Sequence, residues 1–334
     1  MSSNSSLNVP PSTVGKIHLC MPATSANLGP GFDAVALALD FGLEIDAEPA
    51  SEFSIQAVGR DAERCAQLED NLILGIYKEL LLSHGRPVVP LAIRMDNGIP
   101  LGMGCGSSAA GRLAAIVLAV HFGQLGWNSE RILEEACVLE GHPDNAAACW
   151  LGGFVTAASE GRTVHVARVE PPVEWRAIVA TPSEPLATSE ARAVLPPTYS
   201  RADAVLNVQS AALLGLAFAQ GRGDLLRVAM QDRIHQPYRE LLCPLLPRLL
   251  PLAGQSGILG VALSGAGPSV LLIIEKEGAI DQALAAIGQR IRDLQNIELR
   301  ICRLQMKGGR ESFPGFLGGK QFCSGSRDHE GPVA

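Results

Sequence analysis

The sequence predicts an α+β fold in two domains, and three observations lead there. The chain has 334 residues, more than one ordinary domain of about 100–200 residues holds. Strand-like and helix-like segments are mixed along it without the regular βαβ alternation of a doubly wound sheet. A proline pair, Pro171-Pro172, separates a first half that closes on β-like runs from a second half that opens on another. Apolar residues make up 47 % of the chain and charged residues 18 %, which suits a sizeable core and argues against global disorder.

Taken in order, residues 1–14 are rich in Ser, Asn and Pro and read as a flexible N-terminal tail. They have neither the basic flank nor the apolar centre of a secretory signal. A first domain covers 15–170. It begins with a strand over 16–20, then a loop over 21–33 that contains Gly29, Pro30 and Gly31, then short β runs over 35–41, 43–47 and 53–58. Apolar spacing predicts a helix over 71–83, followed by a strand over 91–95. A glycine-rich loop opens into an alanine-rich helix over 107–122. Further helices follow over 129–140 and from Pro143, a residue suited to a first turn. Strands over 154–158 and 164–169 close the domain.

A second domain covers 171–307. A strand over 175–180 leads to Ser200-Arg201-Ala202-Asp203, which has the form of a capping box for a helix reaching Gln220. Helices are expected over 224–235 and 241–252. Two apolar runs, 258–263 and 270–274, flank Ser264-Gly265-Ala266-Gly267-Pro268 and read as strand, tight turn, strand. A helix over 280–294 and a strand over 297–304 complete the domain, and the Gly- and Ser-rich residues 308–334 read as a flexible C-terminal tail.

Several function classes are disfavoured by composition. The formal net charge is −7 and the five Lys are scattered, so the chain lacks the clustered cations that phosphate backbones require, and no nucleic-acid partner is expected. No uninterrupted apolar run approaches the roughly 20 residues of a membrane span; the longest, such as 114–120, are far shorter. Eight Cys lie at 20, 65, 105, 137, 149, 243, 302 and 323 without a C-x-x-C pair. That pattern fits reduced thiols in a cytoplasmic protein better than a metal site or a disulfide framework.

The segment richest in chemistry is Pro100-Leu101-Gly102-Met103-Gly104-Cys105-Gly106-Ser107-Ser108-Ala109-Ala110. Alternate glycines let a backbone approach a ligand closely. A helix starting at Ser107 and Ser108 would turn unpaired N–H groups and a partial positive charge toward it, which suits a phosphate chain. A dinucleotide fingerprint fails because position 107 is Ser, and a Walker A loop fails because no Lys follows. From the residues alone the segment is either a phosphate cradle or a glycine-rich turn before a core helix.

The segment resembles the phosphate loop of the GHMP kinases, whose usual pattern is P-x-x-x-G-L-G-S-S-A-A. Cys105 stands where Leu is usual, and Arg112 stands inside the helix where a small residue is usual; Arg112 is expected to snorkel outward. Other segments resemble homoserine kinases within that superfamily. They are the run from Pro22 to Asp33, Glu140-Gly141-His142-Pro143-Asp144-Asn145, Thr188-Ser189-Glu190-Ala191-Arg192 with Leu195-Pro196, and Asp232-Arg233-Ile234-His235-Gln236-Pro237-Tyr238-Arg239. Isoprenoid-pathway members typically carry a Lys shortly after the first Pro, where Thr24 and Ser25 stand here. The superfamily's C-terminal Gly motif is matched over Ser264 to Ser269, so the resemblance spans about 16–304.

The resemblance implies a two-domain GHMP kinase fold, with an N-terminal ribosomal-protein-S5-like domain and a C-terminal ferredoxin-like domain. It implies ATP and Mg²⁺ as cofactors and L-homoserine as the alcohol phosphorylated, on the route to threonine. ATP would lie against Pro100 to Ala110, with Asn71 at the position that meets adenine. Ser108 and Glu140 match the metal ligands, and Thr188 is expected to touch the γ-phosphate across the domain interface. Arg192 and Arg239 match the arginines that hold the substrate carboxylate, for which a planar two-pronged donor is suited. Asn27, Asp33, His142, Asp144 and Asn145 are the candidates for the ammonium and hydroxyl groups. Asp33 is expected nearest the hydroxyl, as a base or as an orienting group. His235, Tyr238 and Cys105 are read as structural. A homodimer is left open, since no interface is legible. The alternatives are a GHMP kinase for another small alcohol and a non-catalytic ATP-binding member.

Overall fold

The computed structural model describes residues 14–313. Residues 1–13 of the tail predicted over 1–14, and residues 314–334 of the other predicted tail, lie outside the described residues. The first domain carries β1 (Ile17–Asn27), β2 (Gly31–Pro49), β3 (Ser54–Gly59), α1 (Ala62–Cys65), α2 (Leu72–Ser83), β4 (Leu91–Asn97), α3 (Ser107–Gly123), α4 (Ser129–Glu140), α5 (Asp144–Leu151), β5 (Phe154–Glu160) and β6 (Thr163–Val169). Its strands form one sheet in the order β3-β4-β2-β5-β6, with β1 antiparallel to β2. Only β3 and β4 run parallel. Helices α3 and α5 lie against β1 and β2.

The predicted loop over 21–33 is in its first part a strand. Pro22, Thr24, Ser25 and Asn27 look like loop residues, but tertiary partners satisfy the polar groups of the last three. The Thr24 N–H donates to Cys105 O at 3.1 Å, the Thr24 hydroxyl to Asn145 Oδ1 at 2.6 Å, and Asn27 Nδ2 to Gly265 O at 2.8 Å. The Ser25 and Ser264 hydroxyls meet at 2.8 Å. Buried polar groups with partners carry no large desolvation penalty. Similarly, the runs expected over 35–41 and 43–47 are one strand, β2. Its partner β1 shifts register between Pro22 and Ala23, and Gly42 passes close to the Met21 carbonyl at that point.

In α3 the burial is nearly complete around the whole circumference, as expected of a helix whose residues are small and apolar on every side. Helices α2 and α4 begin at Asn71 and Asn128, whose side chains accept from N–H groups of their own first turns.

The second domain carries β7 (Arg176–Thr181), α6 (Thr188–Ala193), α7 (Arg201–Gln220), α8 (Leu226–Ala229), α9 (Gln236–Arg239), α10 (Leu245–Leu249), β8 (Ile258–Leu263), β9 (Val270–Ile274), α11 (Ile280–Ile291) and β10 (Glu298–Arg303). Its antiparallel sheet has the order β10-β7-β9-β8. Successive residues of β7 alternate between two cores. Ile178 and Ala180 pack with Leu245, Leu249 and Ile287. Ala177 and Val179 face the core that continues through Phe218 into the first domain. The Pro171-Pro172 pair lies between the last strand of one sheet and the first of the other.

Three expectations are corrected. The helix predicted over 224–235 stops at Ala229; beyond it the buried Asp232 carboxylate accepts from the N–H groups of Ile234, His235 and Gln236 and holds the turn that leads into α9. The helix predicted over 241–252 shrinks to α10 and a 3-10 turn at Leu250–Leu252, in a stretch that carries Pro244, Pro247 and Pro251. Residues 308–313, predicted to be part of a loose tail, are packed. Gly308 lies against Trp150 O, Gly309 is buried, and Ser312 Oγ accepts from the Cys20 N–H at 3.2 Å.

Among the described residues one helix, α7, reaches the length and mean hydropathy of a membrane span even though polar residues interrupt its apolar run, and 22 % of its most apolar stretch is buried. Its buried Asn207 donates to Pro30 O at 2.9 Å and accepts from the Arg233 N–H at 3.1 Å, so the helix is tied into the fold.

Candidate active site

A cavity of about 920 Å³ opens between the two domains. One wall is the glycine-rich loop. Gly102, Gly104 and Gly106 all have positive φ, between 73° and 75°, and left-handed residues at alternate positions are the backbone pattern from which anion-binding nests are built. A Cβ on Gly104 would stand 2.2 Å from Ser264 O. This loop therefore touches the turn between β8 and β9, and the two glycine-rich segments close one end of the cavity together.

Leu101, Gly102, Gly104, Gly106, Ser107, Ser108 and Ala109 line the cavity. Pro100, Met103, Cys105 and Ala110, predicted to hold the cofactor, do not line it. Pro100, Cys105 and Ala110 are buried. Burial pushes the Cys105 thiol up to about 12, which makes it an inert packing group. Asn71 lines the cavity, but its carboxamide is fully engaged. Oδ1 accepts from the Ile73 and Leu74 N–H groups, and Nδ2 donates to Cys65 O and Gln67 O. In this structure its side chain caps α2 and offers no spare donor or acceptor to a base.

Ser108, in the first turn of α3, and Glu140, the last residue of α4, converge. Their Oγ and Oε1 both accept from the same nitrogen, Nη1 of Arg112. The expectation that Arg112 points outward is thus corrected. The side chain folds back toward the N-terminus of its own helix, the direction helical side chains favour, and finds the carboxylate there. Two oxygen donors meeting one cationic nitrogen mark a position that suits a hard cation such as Mg²⁺.

The opposite end of the cavity is built from charges of both signs. Arg192 bonds Asp33 in a two-pronged bridge, Nη1 to Oδ2 at 3.0 Å and Nη2 to Oδ1 at 2.6 Å. The carboxylate holds the Arg192 pKa above its ordinary value. Asp33 itself has φ 56°, and its N–H is held by Asn27 Oδ1 at 3.0 Å, a strained backbone of the kind that clusters at functional sites.

His142 Nδ1 donates to Asp144 Oδ1 at 2.7 Å. Burial pulls the imidazole pKa down, but that hydrogen bond and the charges of Asp144, Asp33 and Glu140 outweigh it and hold it above the usual value. Ligand atoms of Asp33, His142 and Asp144 lie within 4.8 Å of one another. Asn145 accepts from the Thr24 hydroxyl beside them. Thr188, at the start of α6, is exposed on the cavity rim.

Arg239 is 1 % exposed. Its Nε donates to Ala191 O at 2.9 Å and its Nη1 to His235 Nδ1 at 3.1 Å. His235 in turn meets Gly29 O through Nε2 at 2.8 Å. That pattern requires a neutral imidazole with its proton on Nε2, in line with burial lowering its pKa. Burial also lowers the Arg239 pKa from its ordinary value. Both guanidinium groups, Arg192 and Arg239, stand 5.4 Å from the Phe32 ring centre, a cation–π arrangement that holds two like charges on one aromatic ring.

Comparison with known proteins agrees with this architecture. Residues 71–153 match the GHMP kinases N terminal domain and residues 216–293 the GHMP kinases C terminal domain. A homoserine kinase of Solibacter usitatus is 46 % identical over 260 residues, 78 % of this chain and 85 % of that protein. The chain belongs to the homoserine kinase family of GHMP kinases. A homoserine kinase of Deinococcus radiodurans is 40 % identical over 261 residues, 77 % of this chain and 84 % of that one. The crystal structure of homoserine kinase from Cytophaga hutchinsonii superposes with a TM-score of 0.76 at 24 % identity, over 90 % of this chain and 98 % of that one. L. major mevalonate kinase superposes at 0.66 with 15 % identity, over 89 % and 99 %. At those identities the two structures speak to the fold alone.

Phe32 and Arg112 are among the cavity residues to which the sequence assigns no role. Phe32 lies inside a motif named above, but nothing local signals that its ring centre stands 5.4 Å from two guanidinium groups. Arg112 was visible as a departure from the usual small residue, but its direction depended on where α4 ends.

Proposed function

We propose that the chain phosphorylates the side-chain hydroxyl of L-homoserine with ATP, giving O-phospho-L-homoserine and ADP. One observation carries this reading: a compact cluster of acidic groups stands beside two guanidinium groups, at the end of a cavity whose other end is a helix start lined with backbone amides. That layout is complementary to a zwitterion with a short arm reaching toward a phosphate chain. Arg192 and Arg239 suit the carboxylate, and Asp33, Asp144 and Asn145 suit the ammonium and hydroxyl.

The triphosphate lies against the amides of the glycine-rich loop and the first turn of α3, where the helix dipole favours negative charge. Ser108 and Glu140 would hold Mg²⁺, which when bound neutralises charge on the phosphates. Phosphoryl transfer is chiefly positioning and charge stabilisation through a loose transition state. Asp33 therefore needs only to orient the hydroxyl and accept its proton late. Its fixed backbone and its two-pronged tie to Arg192 serve that orienting role. Thr188 on the rim reaches the terminal phosphate from the second domain. The reading carries a cytoplasmic location and small-molecule partners.

A coupled assay of ADP release against homoserine, mevalonate and galactose tests the assignment. Turnover with homoserine alone is expected. Turnover with mevalonate or galactose and none with homoserine would replace the substrate, and nucleotide binding without turnover on any alcohol would leave only a binding protein.

A further inference from the structure

Arg112 is the one Arg, Lys, Asp or Glu within α3, and its placement looks costly from two directions. Folded back on its own first turn, its cation sits at the positive end of the helix dipole. Glu140, which it meets, sits as an anion at the negative end of α4. Each offsets the other. The pair is largely shielded from water, with Glu140 at 7 % and Arg112 at 24 % side-chain exposure. Because Nη1 meets Ser108 Oγ as well as Glu140 Oε1, the guanidinium stands at the point to which both proposed metal ligands turn.

We infer that Arg112 is a resident cation of the metal position and a positioning residue for the nucleotide. Without metal it neutralises Glu140 and keeps Ser108 and Glu140 turned inward. Were Ser108 and Glu140 to hold Mg²⁺, the guanidinium would yield Glu140, since two cations repel strongly in a partly buried site, and would turn to phosphate oxygens at the start of α3, to which its fork is matched. An apolar residue at 112 would leave a bare carboxylate facing the incoming phosphates whenever metal is absent. Arg112 therefore makes nucleotide binding only weakly dependent on Mg²⁺. The inference rests on the nucleotide site proposed above.

The test is calorimetric titration of the full chain with ADP and with a non-hydrolysable ATP analogue, once in Mg²⁺ and once in EDTA. The quantity read is the ratio of the two dissociation constants. For the unaltered chain the affinity in EDTA is expected to be weaker by less than about tenfold. Arg112→Met should raise that ratio by a further tenfold or more, about 1.4 kcal/mol, mainly by weakening the EDTA titration. Arg112→Lys, which keeps a charge without the fork, should fall between. A ratio for Arg112→Met within about twofold of the unaltered chain overturns the inference, and so does a ratio above about a hundredfold in the unaltered chain itself. The second arm holds even if a variant fails to fold. Absence of nucleotide binding in both conditions would instead overturn the nucleotide site on which the inference rests.

Discussion

Arg192 and Asp33 close a two-pronged bridge across the cavity, from α6 in the second domain to the strained turn at the start of β2 in the first. In the proposed function the bridge ties a carboxylate-seeking group to the group that would orient the hydroxyl, so an incoming amino-acid carboxylate would compete with Asp33 for one guanidinium. Replacing Arg192 by Leu should raise KM for homoserine by about 30- to 100-fold, the equivalent of about 2–3 kcal/mol for a hydrogen bond to a charged group. Nucleotide affinity should stay within about threefold. Steady-state kinetics and nucleotide titration on one preparation check both; equal losses in the two would remove Arg192 from the substrate end.

Arg239 differs from Arg192 in being fully buried, so the same substitution carries a second cost. Arg239→Leu strands Ala191 O and His235 Nδ1 without their donor. Each buried unsatisfied group costs about 1–3 kcal/mol. A lowered melting temperature is expected together with a raised KM for homoserine. Arg239→Lys should recover part of the stability and little of the KM, because an ammonium lacks the planar fork. A variant with normal KM and a lowered melting temperature would make Arg239 purely structural.

Much of the fold was legible because apolar periodicity is a local signal. The helices predicted over 71–83 and 129–140, the capping box at Ser200, and the strand pair at 258–263 and 270–274 appear where the sequence puts them. What was not legible depends on distant partners. Residues 21–27 form a strand because Cys105, Asn145 and Gly265 satisfy their polar groups, and the Asp232 carboxylate holds a turn where the pattern predicts a helix. In the cavity, the residue types and their meeting could be anticipated from motifs. The engagement of Asn71 in its cap, the direction of Arg112 and the stacking on Phe32 could not, since each follows from how separate elements pack.

Glu140 meets Arg112 at the proposed metal position, and its removal should be felt in turnover more than in folding. Glu140→Ala leaves the Arg112 cation unneutralised at the start of α3 and removes one of the two converging oxygens. Turnover in Mg²⁺ should fall by about a hundred- to a thousandfold, the range seen when a charge-stabilising group is lost. Assays across a wide Mg²⁺ range check it; near-normal activity at ordinary Mg²⁺ would mean that another group holds the metal.

The His142–Asp144 pair makes a pH prediction with a definite sign. His142 has a raised pKa in the folded chain: burial lowers it, but the Asp144 hydrogen bond and the nearby carboxylates outweigh that. A group whose folded pKa lies above its unfolded value of about 6.5 adds stability below that pH and loses it as the pH climbs through the folded pKa. The melting temperature lost on His142→Gln should therefore be larger at pH 6 than at pH 8.5. Melting curves of the two proteins at both pH values test this, and a difference that grows toward pH 8.5 would reverse the assignment.

Gly106 is the hinge between the loop and α3, and it tolerates no side chain. Its φ is 73°, and a Cβ there would stand 2.0 Å from Thr24 Oγ1, the hydroxyl that donates to Asn145. Gly106→Ala must therefore move Thr24 and with it Asn145 at the substrate end, besides straining the backbone by about 1 kcal/mol or more. Nucleotide affinity should drop by about tenfold or more as the amides of the loop lose their alignment. Gly288, inside α11, provides the contrast, since a Cβ there meets nothing within 4 Å. Gly288→Ala should raise stability by about 0.5–1 kcal/mol and leave nucleotide binding unchanged. If Gly106→Ala bound nucleotide as Gly288→Ala does, the phosphate chain could not be resting on this loop.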